Sequence, residues 1–191
     1  MRPSLRPWRR RVVAVAREMA SLGLVKGSAG NVSCRVRDVI LITPSGIPYE
    51  LLRPQQIVSL PLDGDNERDM PVPPSSEWRM HVAIYRARDD VRAIVHTHPP
   101  YAIVASLSGP LPVVSDEGRV LFGESVPVSR HAKPGTWELA EAVAEALGVG
   151  KAALIARHGA VTVGWTLSEA LRLAVKLEEM ASLWALSRYR G

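Results

Sequence analysis

The chain has 191 residues, 47% of them hydrophobic and 23% charged, an ordinary globular composition that lets one domain over 1–191 bury about 70% of its unfolded surface without staples. No apolar run reaches the ~20 residues of a membrane span, the single cysteine Cys34 excludes an internal disulfide, and Met1-Arg2-Pro3 leads into arginines rather than a signal core, so a cytoplasmic location is expected. The formal charge is +5 with five arginines in the first eleven residues, yet aromatics are only 5% and no reader motif follows; neither nucleic acid nor membrane is expected as a partner, and the basic balance suits an anionic small substrate.

In chain order, Val12, Val15, Ala16, Met19 and Leu22 recur at helical spacing, which predicts an amphipathic helix over 11–22 ending near Gly23. Gly27-Ser28-Ala29-Gly30-Asn31-Val32-Ser33 is a small-residue loop feeding a hairpin, 32–36 and 39–42, around Arg37-Asp38. Such a loop is either a tight turn or a place where backbone N–H groups approach an anion. Thr43-Pro44-Ser45-Gly46 is a second turn, Asp63-Gly64-Asp65-Asn66 an exposed loop, and Pro71, Pro73 and Pro74 lead to Ser75-Ser76-Glu77-Trp78. Ser75 reads as a helix N-cap, with Ser76 and Glu77 in the first turn and His81 on the packing face beside Ile84 and Tyr85. That terminus is either a well-capped helix start or an anion site.

Val91–Pro100 is a β-branched run stopped by two prolines, hence a buried strand leaving a sheet. Residues two apart on a strand share a face, so His96 and His98 project together and can chelate one ion, while Thr97 faces the opposite layer. Further on, 101–107 predicts a short helix, 126–128 a short strand, and 136–147 a helix capped by Thr136 and ended by Gly148. Ala152–Ala156 is an apolar strand running into Arg157-His158-Gly159, then Val161-Thr162-Val163 and a long helix opened by Thr166 and Glu169 as a capping box. Its core stripe is Leu167, Leu171, Ala174, Leu177, Ala181 and Trp184. Strands and helices mix without repeats or linkers, as in one α/β unit.

His158, at a strand end with Gly159 leaving room beside it, completes a set with His96 and His98: three imidazoles and one open position are the donor set of a catalytic zinc, whereas a structural site would be closed and cysteine-rich. Glu77 is the acid beside the candidate anion site and fits the base such a centre needs.

The motifs Gly27–Ser33, Ile42-Thr43-Pro44-Ser45-Gly46-Ile47-Pro48-Tyr49-Glu50, Pro74-Ser75-Ser76-Glu77-Trp78-Arg79, His96-Thr97-His98 and His158-Gly159 span nearly the whole chain in one order. In that set and order the sequence resembles the class II aldolase/adducin-head family, and most closely its sugar-phosphate aldolases. The resemblance implies an α/β fold, three-layer α/β/α with a central, largely antiparallel sheet, and a homotetramer with sites at subunit interfaces. It implies one Zn2+ per subunit on His96, His98 and His158, with Glu77 as the acid/base. Asn31, Ser45, Gly46, Ser75, Ser76 and Ser28 would hold a substrate phosphate. The implied reaction is reversible cleavage of a ketose 1-phosphate such as L-fuculose 1-phosphate to dihydroxyacetone phosphate and a short aldehyde, lactaldehyde.

Two departures touch the aldehyde side. Asp116 stands where the family's aldolases have a tyrosine acid donated across the interface, and an aspartate is a poorer proton donor near neutral pH unless its pKa is raised. The sequence ends at Tyr189-Arg190-Gly191, before the tail that carries another site tyrosine in those aldolases. Asp116 and Glu117 keep two other reactions of the family in view, pentulose-phosphate 4-epimerisation and methylthioribulose-1-phosphate dehydration, although Arg119 stands where the epimerase aspartate is expected. A non-catalytic, adducin-like assembly module would have no reason to keep three ligands and a base.

Overall fold

The protein is described by a computed structural model covering residues 4–63 and 71–188. Its elements in order are α1 (Arg6–Ser21), β1 (Asn31–Val36), β2 (Val39–Ile42), β3 (Val58–Pro61), α2 (Trp78–Ala87), β4 (Ala93–Thr97), α3 (Pro100–Ala105), β5 (Leu111–Pro112), α4 (Asp116–Phe122), β6 (Ser125–Val126), α5 (Trp137–Leu147), β7 (Ala152–Ile155), β8 (Gly159–Gly164) and α6 (Leu167–Ser187). Six strands form one sheet in the order β3-β2-β1-β4-β8-β7, every neighbouring pair antiparallel, and β5 and β6 form a separate ribbon.

The three layers follow from side-chain alternation along the strands. On β4, Ile94 enters a cluster with α2 and α5, whereas Ala93 and Val95 enter one with α1 and α6. β1 sends Val32 and Cys34 to the α1/α6 face, so Asn31 and Ser33 are left facing α2. Each fully buried aliphatic side chain here contributes about 1.5–3 kcal/mol, so a register slip of one residue would be prohibitive. The slip would also turn Asn31, paired across the ladder with His96, to the wrong layer.

Helix signals place most boundaries. Thr136 Oγ1 accepts the Leu139 N–H and opens α5; Thr166 Oγ1 accepts the Glu169 N–H and opens α6. The capping box at α6 is offset, since Glu169 Oε2 accepts from Trp165 N rather than from the cap residue. All six stripe residues of α6 are buried. α1 begins at Arg6, earlier than the apolar spacing indicates, because Pro7 is tolerated in the first turn. The short strand expected over 126–128 lies one step earlier, at Ser125–Val126, with Val128 making only an isolated parallel bridge to Leu154.

The Ser75-capped helix is corrected. Helix α2 starts at Trp78 with Glu77 at the cap position, and Ser75–Glu77 form the preceding turn, closed by Trp78 N–H to Ser75 O at 3.0 Å. Elements without a clear local signal include β3, a short edge strand ending at Pro61, and α4, capped by Ser115 with Asp116 and Glu117 in its first turn. The 63–66 loop falls largely, and the 189–191 terminus wholly, outside the described residues. Among the described residues no helix is long and apolar enough to cross a membrane.

Candidate metal centre and phosphate pocket

β4 and β8 are paired so that His96 lies opposite Val161 and Thr97 opposite Ala160. The β7–β8 turn, where Arg157 adopts φ +62°, delivers His158 to the same sheet end. Gly159 is required there: a Cβ would stand 2.1 Å from Thr97 O and 3.0 Å from His98 Cδ2. The three imidazoles thereby come together with ring centroids 4.6–5.0 Å apart. One donor atom from each of Glu77, His96, His98 and His158 lies within 4.8 Å of all the others.

The hydrogen positions follow from the partners. His96 Nδ1 lies 2.9 Å from Ala160 O, so it carries the hydrogen and Nε2 presents its lone pair. That Nε2 faces His98 Nε2 at 2.8 Å and Glu77 Oε2 at 2.7 Å, while His158 Nε2 is 3.7 Å from Glu77 Oε1. Lone-pair-bearing atoms this close are stable only around shared positive charge, a proton or a metal ion, so the donor set fits a divalent cation.

Burial raises the Glu77 carboxyl, but the charge and hydrogen bond of His96, with His158 and His98 behind, outweigh it and hold it at about 2. Burial lowers the His98 pKa to about 3, His96 and His158 push it further down, and Glu77 opposes them; His158 is displaced downward as well, again chiefly by burial. The His98 and His158 rings therefore stand neutral near pH 7, the form that binds metal, beside an ionised carboxylate.

A cavity of about 310 Å³ opens onto this cluster. Its lining includes Ser28, Asn31, Ser45, Gly46, Ser75 and Ser76, with Glu77, His98 and His158 at the metal end. The two turns are held together by backbone bonds, Ser45 N–H to Pro73 O and Ser75 N–H to Thr43 O, both 3.0 Å, and by the bridge between Pro44 and Pro74. Gly30 lets the first loop press against β4, where a Cβ would meet His96 O at 2.5 Å, and the Tyr49 hydroxyl donates to Gly30 O at 2.7 Å. Among the described residues no lysine or arginine lines the cavity; an anion there would rest on hydroxyls, an amide and backbone N–H groups beside the start of α2.

Behind the pocket runs a buried relay that no local sequence pattern indicates: the helical spacing of His81 predicts only a packing residue. His81 is fully buried and joins β1 to α2: its Nε2 bonds Asn31 Oδ1, and its Nδ1 lies 2.6 Å from Ser33 Oγ, itself 2.8 Å from the Tyr85 hydroxyl. An Nε2–H donor fixes the Asn31 amide with Oδ1 inward, so Nδ2 donates to Ser75 Oγ at 2.9 Å. Ser75 Oγ also accepts from Glu77 N at 3.4 Å. The Ser75 hydrogen and the second Asn31 N–H therefore remain for a ligand. The available signal was a polar Ser33 two residues after Asn31 on the same strand face, with His81 and Tyr85 spaced i, i+4 on the helix opposite.

Asp116 is not brought to the cluster within this chain. It is exposed in the first turn of α4 and does not line the cavity. Pro134, which no motif indicated, does line it.

Residues 10–185 match the family described as Class II Aldolase and Adducin N-terminal domain. An L-fuculose phosphate aldolase of Escherichia coli O6:H1 is 42% identical over 92% of this chain and 81% of its own length. A 5-methylthioribulose-1-phosphate/5-deoxyribulose-1-phosphate aldolase of Rhodospirillum rubrum is also 42% identical, over 89% of this chain and 76% of its own. Among solved structures, an L-fuculose 1-phosphate aldolase superposes with a TM-score of 0.90 at 32% identity, covering 100% of this chain and 90% of that one.

Proposed function

The chain belongs to the class II aldolase and adducin family and is an aldolase, and on that premise we propose that it reversibly cleaves a ketose 1-phosphate, L-fuculose 1-phosphate first, to dihydroxyacetone phosphate and lactaldehyde. The observation that carries this reading is that one cavity is lined both by Glu77, His98 and His158 of the carboxylate–imidazole cluster and by the donors Ser75 and Asn31. A ketose 1-phosphate likewise carries its carbonyl and its phosphate close together, on neighbouring carbons of one short chain.

We assign the metal to His96, His98 and His158 and its identity to zinc, which an all-imidazole set of three favours. When bound, zinc would act as a Lewis acid on the substrate's carbonyl and so stabilise negative charge developing there. Glu77, ionised and nearly enclosed, takes the proton from the carbon beside the carbonyl in synthesis and returns it after cleavage. Ser75, Asn31, Ser76, Ser45, Ser28 and the backbone at Gly46 anchor the phosphate, which holds the reacting carbon at Glu77. Asp116 is the candidate second acid, delivered by a neighbouring copy. A homotetramer with sites at its interfaces is supported by the exposed apolar side chains Tyr101, Val104 and Leu107, which follow directly after His98. The composition supports a cytoplasmic enzyme acting as a single catalytic domain.

The second reading keeps the same half-reaction and changes the aldehyde: cleavage of 5-deoxyribulose 1-phosphate, supported by the equal identity to the Rhodospirillum rubrum relative. Both substrates share the triose phosphate half that the cavity residues would hold. The test supplies each phosphate to the zinc-loaded protein and couples released dihydroxyacetone phosphate to NADH oxidation. Faster release from L-fuculose 1-phosphate supports the first reading and the reverse order the second. No release from either overturns the proposed substrate class.

A further inference from the structure

At the end of the sheet away from the metal cluster lies a larger cavity, about 850 Å³, which the aldolase reaction does not use. β1 runs from Asn31 in the catalytic pocket to Val36 beside this one, five residue steps or roughly 17 Å of strand. Arg92, just before β4, and Trp165, just after β8, stand at the same far edge.

The lining has a strong charge bias. Arg11, Arg35, Arg37 and Arg92 line the cavity, with Glu18 as the one acid among the described residues that line it. Arg35 is engaged, since its guanidinium bonds Arg37 O, Tyr85 O and the Asp89 carboxylate. The side chains of Arg11, Arg37 and Arg92 have no carboxylate partner among the described residues. Two of them are braced on rings: Arg11 sits 5.0 Å from the Trp8 ring centre and Arg92 5.3 Å from that of Trp165. Trp165 remains 63% exposed, an unusual position for the largest apolar side chain unless something covers it.

Guanidiniums that line one cavity without a carboxylate partner give it a positive potential, which an anion bridging them would offset. Bracing on tryptophan reduces the side-chain entropy lost when such an anion binds. A single inorganic anion would leave most of a cavity this size and both rings uncovered, whereas a flat ring carrying phosphates would use both features. We propose that this cavity is a second ligand site, separate from the aldolase site, for a small organic anion of nucleoside-phosphate type, its phosphates on Arg11, Arg37 and Arg92 and its ring against Trp165 and Trp8.

The probe is ADP, titrated into the zinc-loaded full chain with dihydroxyacetone phosphate present to occupy the catalytic pocket. Binding is read by calorimetry and by tryptophan fluorescence. The expected result is saturable binding of one ADP per chain, with adenosine and inorganic phosphate each binding more weakly. Arg37→Glu and Arg92→Glu should each weaken ADP at least about tenfold, the loss of one charge-assisted contact, and leave ketose phosphate cleavage unchanged. Trp165→Phe should remove most of the fluorescence change. Absence of saturable ADP binding at millimolar concentration overturns the proposal, as does binding that the arginine variants do not alter. So does a change of oligomeric mass in those variants without ADP binding by the parent, which would make the cavity a contact between copies.

Discussion

Replacing His81 by phenylalanine keeps an aromatic volume in a fully enclosed site but deletes the donor that orients Asn31. The Asn31 amide is only 2% exposed, so its Oδ1 loses its partner without gaining water, a cost of about 1–3 kcal/mol. For a chain of this length ~2 kcal/mol corresponds to a thermal midpoint lower by roughly 4–8 °C. A second effect is separable from stability. Without His81 the amide is free to turn, and Nδ2 no longer has to point at Ser75 and the pocket. Losing one hydrogen bond to a charged phosphate is worth about 1.5–3 kcal/mol, or roughly 10- to 150-fold in kcat/KM. The loss should fall mainly on KM, because the phosphate is held alike before and during reaction. Zinc content should be unchanged, since His81 is not among the clustered donors. His81→Gln, whose amide nitrogen can reach the Nε2 position, should recover most of the KM. Metal analysis, a thermal melt and steady-state cleavage of a ketose 1-phosphate on both variants suffice. A lowered midpoint with unchanged KM in His81→Phe would refute the relay and reduce His81 to packing.

Further outcomes follow from the same geometry. Glu77→Gln should keep the metal and lower the proton-transfer step by roughly 10²–10⁴, read as kcat with zinc content measured alongside. Gly159→Ala forces β8 off β4, because the added carbon would lie 2.1 Å from Thr97 O; it should cost about 1–3 kcal/mol and weaken metal affinity, checked by a thermal melt and a chelator competition. His81 is kept near 3, far below the ordinary 6.5, by burial, with His96 adding to the depression and Glu77 opposing it. The folded form thus stays neutral where the unfolded chain takes up a proton, so stability is full above about pH 6.5 and falls as the pH drops below it. One such group gives a slope near 1.4 kcal/mol per pH unit, or ~2 kcal/mol by pH 5, and His81→Gln should flatten that slope in denaturant titrations at several pH values.

What the sequence disclosed is what local chemistry writes down. Period two puts His96 and His98 on one face, and Thr136 and Thr166 announce their helices through side-chain caps that the structure contains. The apolar stripe of α6 needed only the 3.6-residue period. The resemblance to aldolases supplied the candidate phosphate residues, which the loop and cap signals left open between turn and cradle; what the structure adds is that they line one cavity. Serine after proline is a strong cap signal, but here Ser75 is held out of the helix by its backbone bond to Thr43. β3 escaped notice because four residues ending in proline carry little alternation. The His81 relay was illegible for a deeper reason: its bonds join residues 48 to 52 positions apart, and no local period reports which polar side chains meet inside a folded core.

Exchange of a hydroxymethyl proton of dihydroxyacetone phosphate in deuterated water tests the central claim most directly, because it requires the metal, the phosphate pocket and Glu77 together and needs no aldehyde. With zinc-loaded protein the signal of one proton at the carbon beside the carbonyl should disappear stereospecifically, and the loss should stop on chelation and in Glu77→Gln. Retention of both protons by protein that demonstrably holds its zinc would contradict the account.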